Sequence, residues 1–128
     1  MRIIIEKNRI GSAGWSATDL TDYVNSLITK YSIENGMVTI YTPSKHSYIV
    51  LTEYEPNLLS DLESFLEKIL GKRIIVDGLL GKSVVLPIIN HELDIGVFKR
   101  IVFLDTSRIS GNKEVVVIFE GETGQPSN

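Results

Sequence analysis

A chain of 128 residues, 43% of them hydrophobic, is long enough to bury a core of its own as one domain. Its formal net charge of -3, with Lys and Arg scattered singly or in pairs, supplies no electrostatic footprint for a nucleic-acid backbone or an anionic membrane surface. With no cysteine, disulfides, thiolate metal sites and cysteine nucleophiles are excluded, so any chemistry must come from oxygen, imidazole or amine groups.

Residues 2–6 form a β-branched run suited to a strand, which the turn residues of Gly11-Ser12-Ala13-Gly14-Trp15-Ser16 break. The start lacks the length and cleavage pattern of a signal peptide, and no apolar run approaches the roughly 18 to 20 residues a membrane helix needs, so a cytoplasmic protein without membrane association is expected. Leu20, Val24, Leu27, Ile28 and Tyr31 recur at helical spacing, with Thr18 or Asp19 available as N-cap. Asn35-Gly36 then predicts a turn, and residues 37–42 and 47–52 predict strands on either side of Pro43-Ser44-Lys45-His46.

A second helix is predicted from Pro56, where proline suits the first turn. Leu58, Leu62, Phe65, Leu66 and Ile69 share its apolar face, and Gly71 ends it. The charges opposite, Asp61, Glu63, Glu67 and Lys68, read as a solvated face. Short β-rich runs follow at 74–76, 83–88, 99–105 and 113–120, separated by the turn signals Asp77-Gly78, Asn90-His91 and Ser110-Gly111-Asn112. The fold class is therefore α+β: a single domain over residues 1–122, with mostly antiparallel sheets in a sandwich-like arrangement and two main helices, followed by a surface tail over 123–128.

The stretch Leu79-Leu80-Gly81-Lys82-Ser83, with Leu93-Asp94-Ile95-Gly96 and the closing Val115-Val116-Val117-Ile118-Phe119-Glu120-Gly121-Glu122, resembles the C-terminal half of the YjbQ family, small proteins linked to a weak thiamine-phosphate synthase activity. Asp19-Leu20-Thr21 and Gly36-Met37-Val38-Thr39-Ile40 resemble that family's first helix and next strand. Setting Pro43 on the proline of the family's Pro-His-Thr-Thr-Ala signature and Glu53 on its Asn-Glu requires no gap, and it puts Ser44 at the histidine position. His46 falls two residues later, which along a strand returns a side chain to the same face. Ile74 stands at the second family histidine, Gly96-Val97-Phe98-Lys99 replaces Gly-x-Trp-Gln, and Asp105 matches an acidic strand end.

The resemblance implies a homotrimer and a phosphate-bearing or otherwise anionic small-molecule ligand. It also makes Ser44, His46, Glu53, Lys99 and Asp105 the candidate pocket. Glu53 and Asp105 suit cation binding or acid/base work if they meet, and surface salt bridges if they do not. Lys99 suits an anion or a carboxylate partner, Ser44 has no visible base to activate it, and His91 belongs to a hairpin turn. No catalytic residue, cofactor or metal is specified. Two roles fit: a divergent protein without the family chemistry, binding an altered ligand or a partner, and a weak synthase-like enzyme with a rebuilt site. Losing two positioned imidazoles, each worth roughly 10² to 10⁴ in rate, favours the first.

Overall fold

The computed structural model describes residues 1–53, 64, 68, 80–96 and 99–124. These residues form β1 (Arg2–Ser12), β2 (Ser16–Asp19), α1 (Thr21–Tyr31), β3 (Ile33–Tyr41), β4 (Ser47–Glu53), β5 (Ser83–Ile89), β6 (Glu92–Leu93), β7 (Lys99–Asp105) and β8 (Gly111–Thr123). A five-stranded sheet runs β1-β8-β3-β5-β6 and a three-stranded sheet runs β2-β7-β4, every pairing antiparallel. The α+β class and the mainly antiparallel character agree with the sequence. Two main helices were expected, and α1 is the one whose bounds fall within the described residues. The second, over residues 56–70, lies outside them apart from Ser64 and Lys68, both helical and exposed. The runs at 74–76 and 77–78 also lie outside them.

Helix α1 and the inner face of the three-stranded sheet together cover one face of the five-stranded sheet. Their shared core joins Val24, Leu27 and Ile28 of the helix to Ile49, Ile101 and Phe103 of the small sheet and to Val38, Ile40, Leu86, Val117 and Phe119 of the large one. Alternation explains the membership: Ile101 and Phe103 point into this core, while Val102 and Leu104 turn outward to a smaller cluster with Tyr48. Phe103 is wholly buried. Truncating such a ring to alanine costs about 3–5 kcal/mol.

Several turn expectations shift once the ladders are known. β1 does not end before Gly11: eleven consecutive pairs with β8, down to Ser12 opposite Gly111, carry the strand through the turn-prone residues. Ser110-Gly111-Asn112 correspondingly is not a turn centre, because β8 has already begun at Gly111. Asn35-Gly36 is part of β3 rather than a turn. The chain reverses at Ser32, whose left-handed φ of 50° lets its N–H bond the carbonyls of Ile28 and Thr29 and close the helix. Gly36 is needed for a different reason: it lies opposite Gly121, and a side chain on either would collide with the neighbouring backbone at Glu120 or Asn35. The Asn90-His91 turn does form, with both residues at positive φ (52° and 68°) between β5 and β6. At the helix start, Leu20 occupies the N-cap position, but Asp19 supplies the capping acceptor, taking the Thr21 N–H at 2.9 Å. Thr123 still belongs to β8, and the Gly124 N–H bonds the Ser32 carbonyl at 2.9 Å.

Candidate functional site

β7 fixes where the candidate residues stand. Its pairing with β4 puts Asp105 opposite Ser47 at one end and Lys99 opposite Glu53 at the other. Six residues of strand separate the two ends by roughly 20 Å. Within one chain, therefore, Ser44, His46 and Asp105 gather at one end of the small sheet and Glu53 and Lys99 at the other.

The Asp105 end is a buried polar cluster. Asp105, 1% exposed, accepts hydrogen bonds from the Ser12 hydroxyl (2.5 Å), the Ser107 N–H (2.9 Å) and the Ser107 hydroxyl (2.7 Å), and the Lys113 ammonium stands 3.8 Å from its second oxygen. Ser12 is also bonded to Ser16 at 2.9 Å. A buried carboxylate engaged this way has its lone pairs committed to the fold. Ser44 is committed as well. Beyond the last β3–β8 pair, Tyr41 with Val116, the Thr42 hydroxyl donates to the Glu114 carbonyl (2.7 Å) and the Glu114 N–H donates to the Ser44 hydroxyl (2.9 Å). Two side chains thus prolong the ladder after the backbone of β3 has left it.

His46 is not on a strand. It stands in the connection between β3 and β4 at φ 59°, and its carbonyl receives both the Thr106 N–H (2.9 Å) and hydroxyl (2.8 Å). The strand rule that would return Ser44 and His46 to one face therefore does not operate here. The connection is held from below by Lys82, whose ammonium donates to the carbonyls of Ser44 (2.6 Å) and Ser47 (2.5 Å) and lies 5.2 Å from the Tyr48 ring centroid. Among the described residues, the buried Ser47 hydroxyl has no hydrogen-bond partner. Sequence reasoning missed Ser12, Ser16, Lys82, Ser107 and Lys113. Ser12 ends β1, Ser16 begins β2 and Ser107 follows β7, and only the pairing register gathers these hydroxyls.

The opposite end is open. Glu53 and Lys99 form an exposed ion pair at 3.2 Å. Beside it, Arg100 donates to Asp19 at 2.6 Å and reaches Asp22 at 3.5 Å. Burial raises the Asp19 pKa, but the Thr21 N–H and the Arg100 guanidinium outweigh it and hold the carboxyl below its ordinary value. Next to these charges lies a groove of about 420 Å³ between α1 and the β6 hairpin, lined by Thr21, Asn25 and Thr29 on one side and His91, Lys99 and Arg100 on the other. No cluster of three or more metal-ligating side chains occurs among the described residues. No described helix is long and apolar enough to cross a membrane.

Known proteins agree with this architecture. Residues 8–122 match the model of the family described as UPF0047 protein YjbQ-like. A UPF0047 protein of Archaeoglobus fulgidus is 34% identical, the match covering 68% of this chain and 78% of that one. One of Methanothermobacter thermautotrophicus is 31% identical, covering 68% and 71%. Among solved structures, a hypothetical protein from Aeropyrum pernix K1 superposes with a TM-score of 0.82 at 21% identity, covering 93% of this chain and 99% of that one. A YbjQ-like protein of unknown function from Sulfolobus solfataricus P2 superposes with a TM-score of 0.81 at 21% identity, covering 94% and 99%. The extent of the family match and the identity to its archaeal relatives establish that this chain belongs to the YjbQ-like UPF0047 family.

Proposed function

We propose that this chain is a divergent, non-catalytic member of its family, a homotrimer that binds a small anionic molecule. One observation carries the non-catalytic reading: the Asp105 carboxylate, the group best suited to acid/base work, spends its hydrogen-bonding capacity on the protein itself, and the Ser44 hydroxyl accepts a backbone N–H from Glu114. A general acid or base must present a proton-exchanging atom to substrate within hydrogen-bond reach, and a nucleophile needs a base beside it. Glu53 is solvent-exposed and paired with Lys99, an arrangement suited to holding charge at the surface.

The assembly reading is supported by the outer face of the five-stranded sheet. Register aligns Ile5, Ile118, Thr39 and Val85 in one transverse row and Ile3, Glu120, Met37 and Pro87 in the next. Ile3 is 67% exposed and Val85 58%, with Ile5, Met37 and Ile89 also exposed. Burying each such aliphatic side chain is worth about 1.5–3 kcal/mol, and contiguous apolar patches of this kind mark association surfaces. A closed symmetric assembly would remove the patch from water on every copy.

Light scattering over a range of concentrations, combined with an assay for thiamine phosphate formation, tests both halves. A trimer mass with no product is expected, and Val85→Glu should shift the mass to that of a monomer. A monomeric wild type would sink the assembly reading. Turnover that disappears in Lys99→Gln would favour instead a weak thiamine-phosphate synthase-like enzyme with a rebuilt site, acting on a phosphate-bearing small molecule.

A further inference from the structure

β1 is an edge of the five-stranded sheet: β8 lies on one side of it and, among the described residues, no strand lies on the other. Its eleven pairs with β8 run in unbroken register, without a bulge or a proline. A free edge of this kind offers a row of backbone donors and acceptors to another strand.

The edge is unevenly guarded. Lys7 and Arg9 charge its second half, a common protection of exposed edges. The first half, Arg2-Ile3-Ile4-Ile5-Glu6, carries three isoleucines between two opposite charges. We infer that this half pairs antiparallel with the same half of a second copy of the chain, across a two-fold axis at Ile4. The inference goes beyond the trimer proposed above and uses a different surface, the edge of the sheet instead of its outer face.

Charge selects the register. Centred on Ile4, the pairing sets Arg2 of each copy opposite Glu6 of the other and Ile3 opposite Ile5, so two ion pairs flank an apolar seam. Ile3 and Ile5, 67% and 59% exposed, stay on the outer face in both copies and make the apolar face continuous across the seam. On the inner face, Glu6 takes the Lys30 ammonium (3.1 Å) and the Tyr31 hydroxyl on Oε1, and among the described residues its Oε2 receives no donor. Arg2 is exposed and has no ion pair among the described residues. With Lys30 counted, each end of the seam holds two cations and one carboxylate, one oxygen for each cation. Other centres fail. Glu6, Lys7 or Arg9 at the axis would face itself, Asn8 would set Lys7 against Arg9, and Ile3 or Ile5 would leave charges opposite isoleucine. A shift of one residue would join outer face to inner. Beyond the paired stretch Lys7 falls opposite Met1, whose amine is engaged by Glu122 at 3.5 Å.

The chain has no cysteine, so an introduced thiol reports the seam cleanly. Ile4→Cys sets each thiol directly opposite its mate, with Cα atoms about 4.5–5.5 Å apart, inside the roughly 4.4–6.8 Å that a disulfide spans. Asn8→Cys, on the same face of the same strand, would lie roughly 27 Å from its mate. Under mild oxidation Ile4→Cys should give a two-chain band on non-reducing electrophoresis, and Asn8→Cys should not. In light scattering the wild-type mass should double as concentration rises, starting from the unit present when dilute, since so short a seam is small beside a standard interface of about 1,600 Å². Arg2→Glu, which puts like charges opposite at both ends, should need about tenfold more protein or higher to double, while Arg2→Lys should follow the wild type. No crosslink at Ile4→Cys, or no doubling of the wild type, overturns the self-pairing and leaves the edge to a strand of another protein or to solvent. Equal crosslinking at Asn8→Cys, or doubling untouched by Arg2→Glu, overturns the register centred on Ile4. The crosslink joins two chains whether the dilute unit is a trimer or a monomer, so the seam and the trimer fail separately.

Discussion

The two ends of the three-stranded sheet put similar residues to opposite uses. At one end Asp105 is removed from water and locked among serine hydroxyls, with the partly buried Lys113 beside it. At the other, Glu53 and Lys99 pair in solvent beside an open groove. A carboxylate and an ammonium at each end would look alike in the sequence, yet desolvation separates them. The buried carboxylate is part of the fold and cannot be loosened cheaply, while the exposed pair can exchange partners with solvent.

Substituting Asp105 should break the contrast most severely. Asp105→Ala leaves the donors of a buried site without their acceptor and the partly buried Lys113 without its counter-charge, at a cost of about 3–5 kcal/mol. Chemical denaturation would read this as a lowered midpoint, and a loss below about 1 kcal/mol would mean that the cluster is wetter than its burial indicates. Acid acts next, on the boundary of the groove. Because the Asp19 carboxyl is held below its ordinary value in the folded protein, its contribution is fully present above the unfolded value and is lost as pH falls through the lower folded one. Circular dichroism should therefore show α1 weakening below about pH 4. In Asp19→Asn, which keeps a capping oxygen but cannot titrate, that component should vanish. The smallest effect belongs to Glu53→Gln, which should change stability by no more than about 0.5 kcal/mol, with any change fading in salt. A large loss there would erase the distinction between the two ends.

Much of the framework was legible from residue pattern. The spacing of Leu20, Val24, Leu27 and Ile28 predicts α1, and all four are buried in the core. The expected strand at 99–105 coincides with β7, and Asn90-His91 forms its turn. Local turn chemistry misled where a ladder overrode it. Gly11, Asn35, Gly36 and Gly111 all sit in strands, and the real reversal after α1 falls to Ser32, a residue with no strong turn signal. The site was less legible than the fold. Family positions supplied five candidates, but one strand register sends two of them about 20 Å from the others. The hydroxyl ring around Asp105 comes from residues as far apart as Ser12 and Ser107.

By itself, then, the sequence determined which residues alternate, which recur at helical spacing and which family motifs survive, because these depend on neighbours a few positions away. Tertiary structure decided which charges lost their water. Burial of Asp105 depends on β1, β7 and β8 closing around it, and exposure of Lys99 on lying at the far end of the same strand. No local pattern encodes that difference, since desolvation is a property of everything packed around a group and not of the residues beside it in the chain.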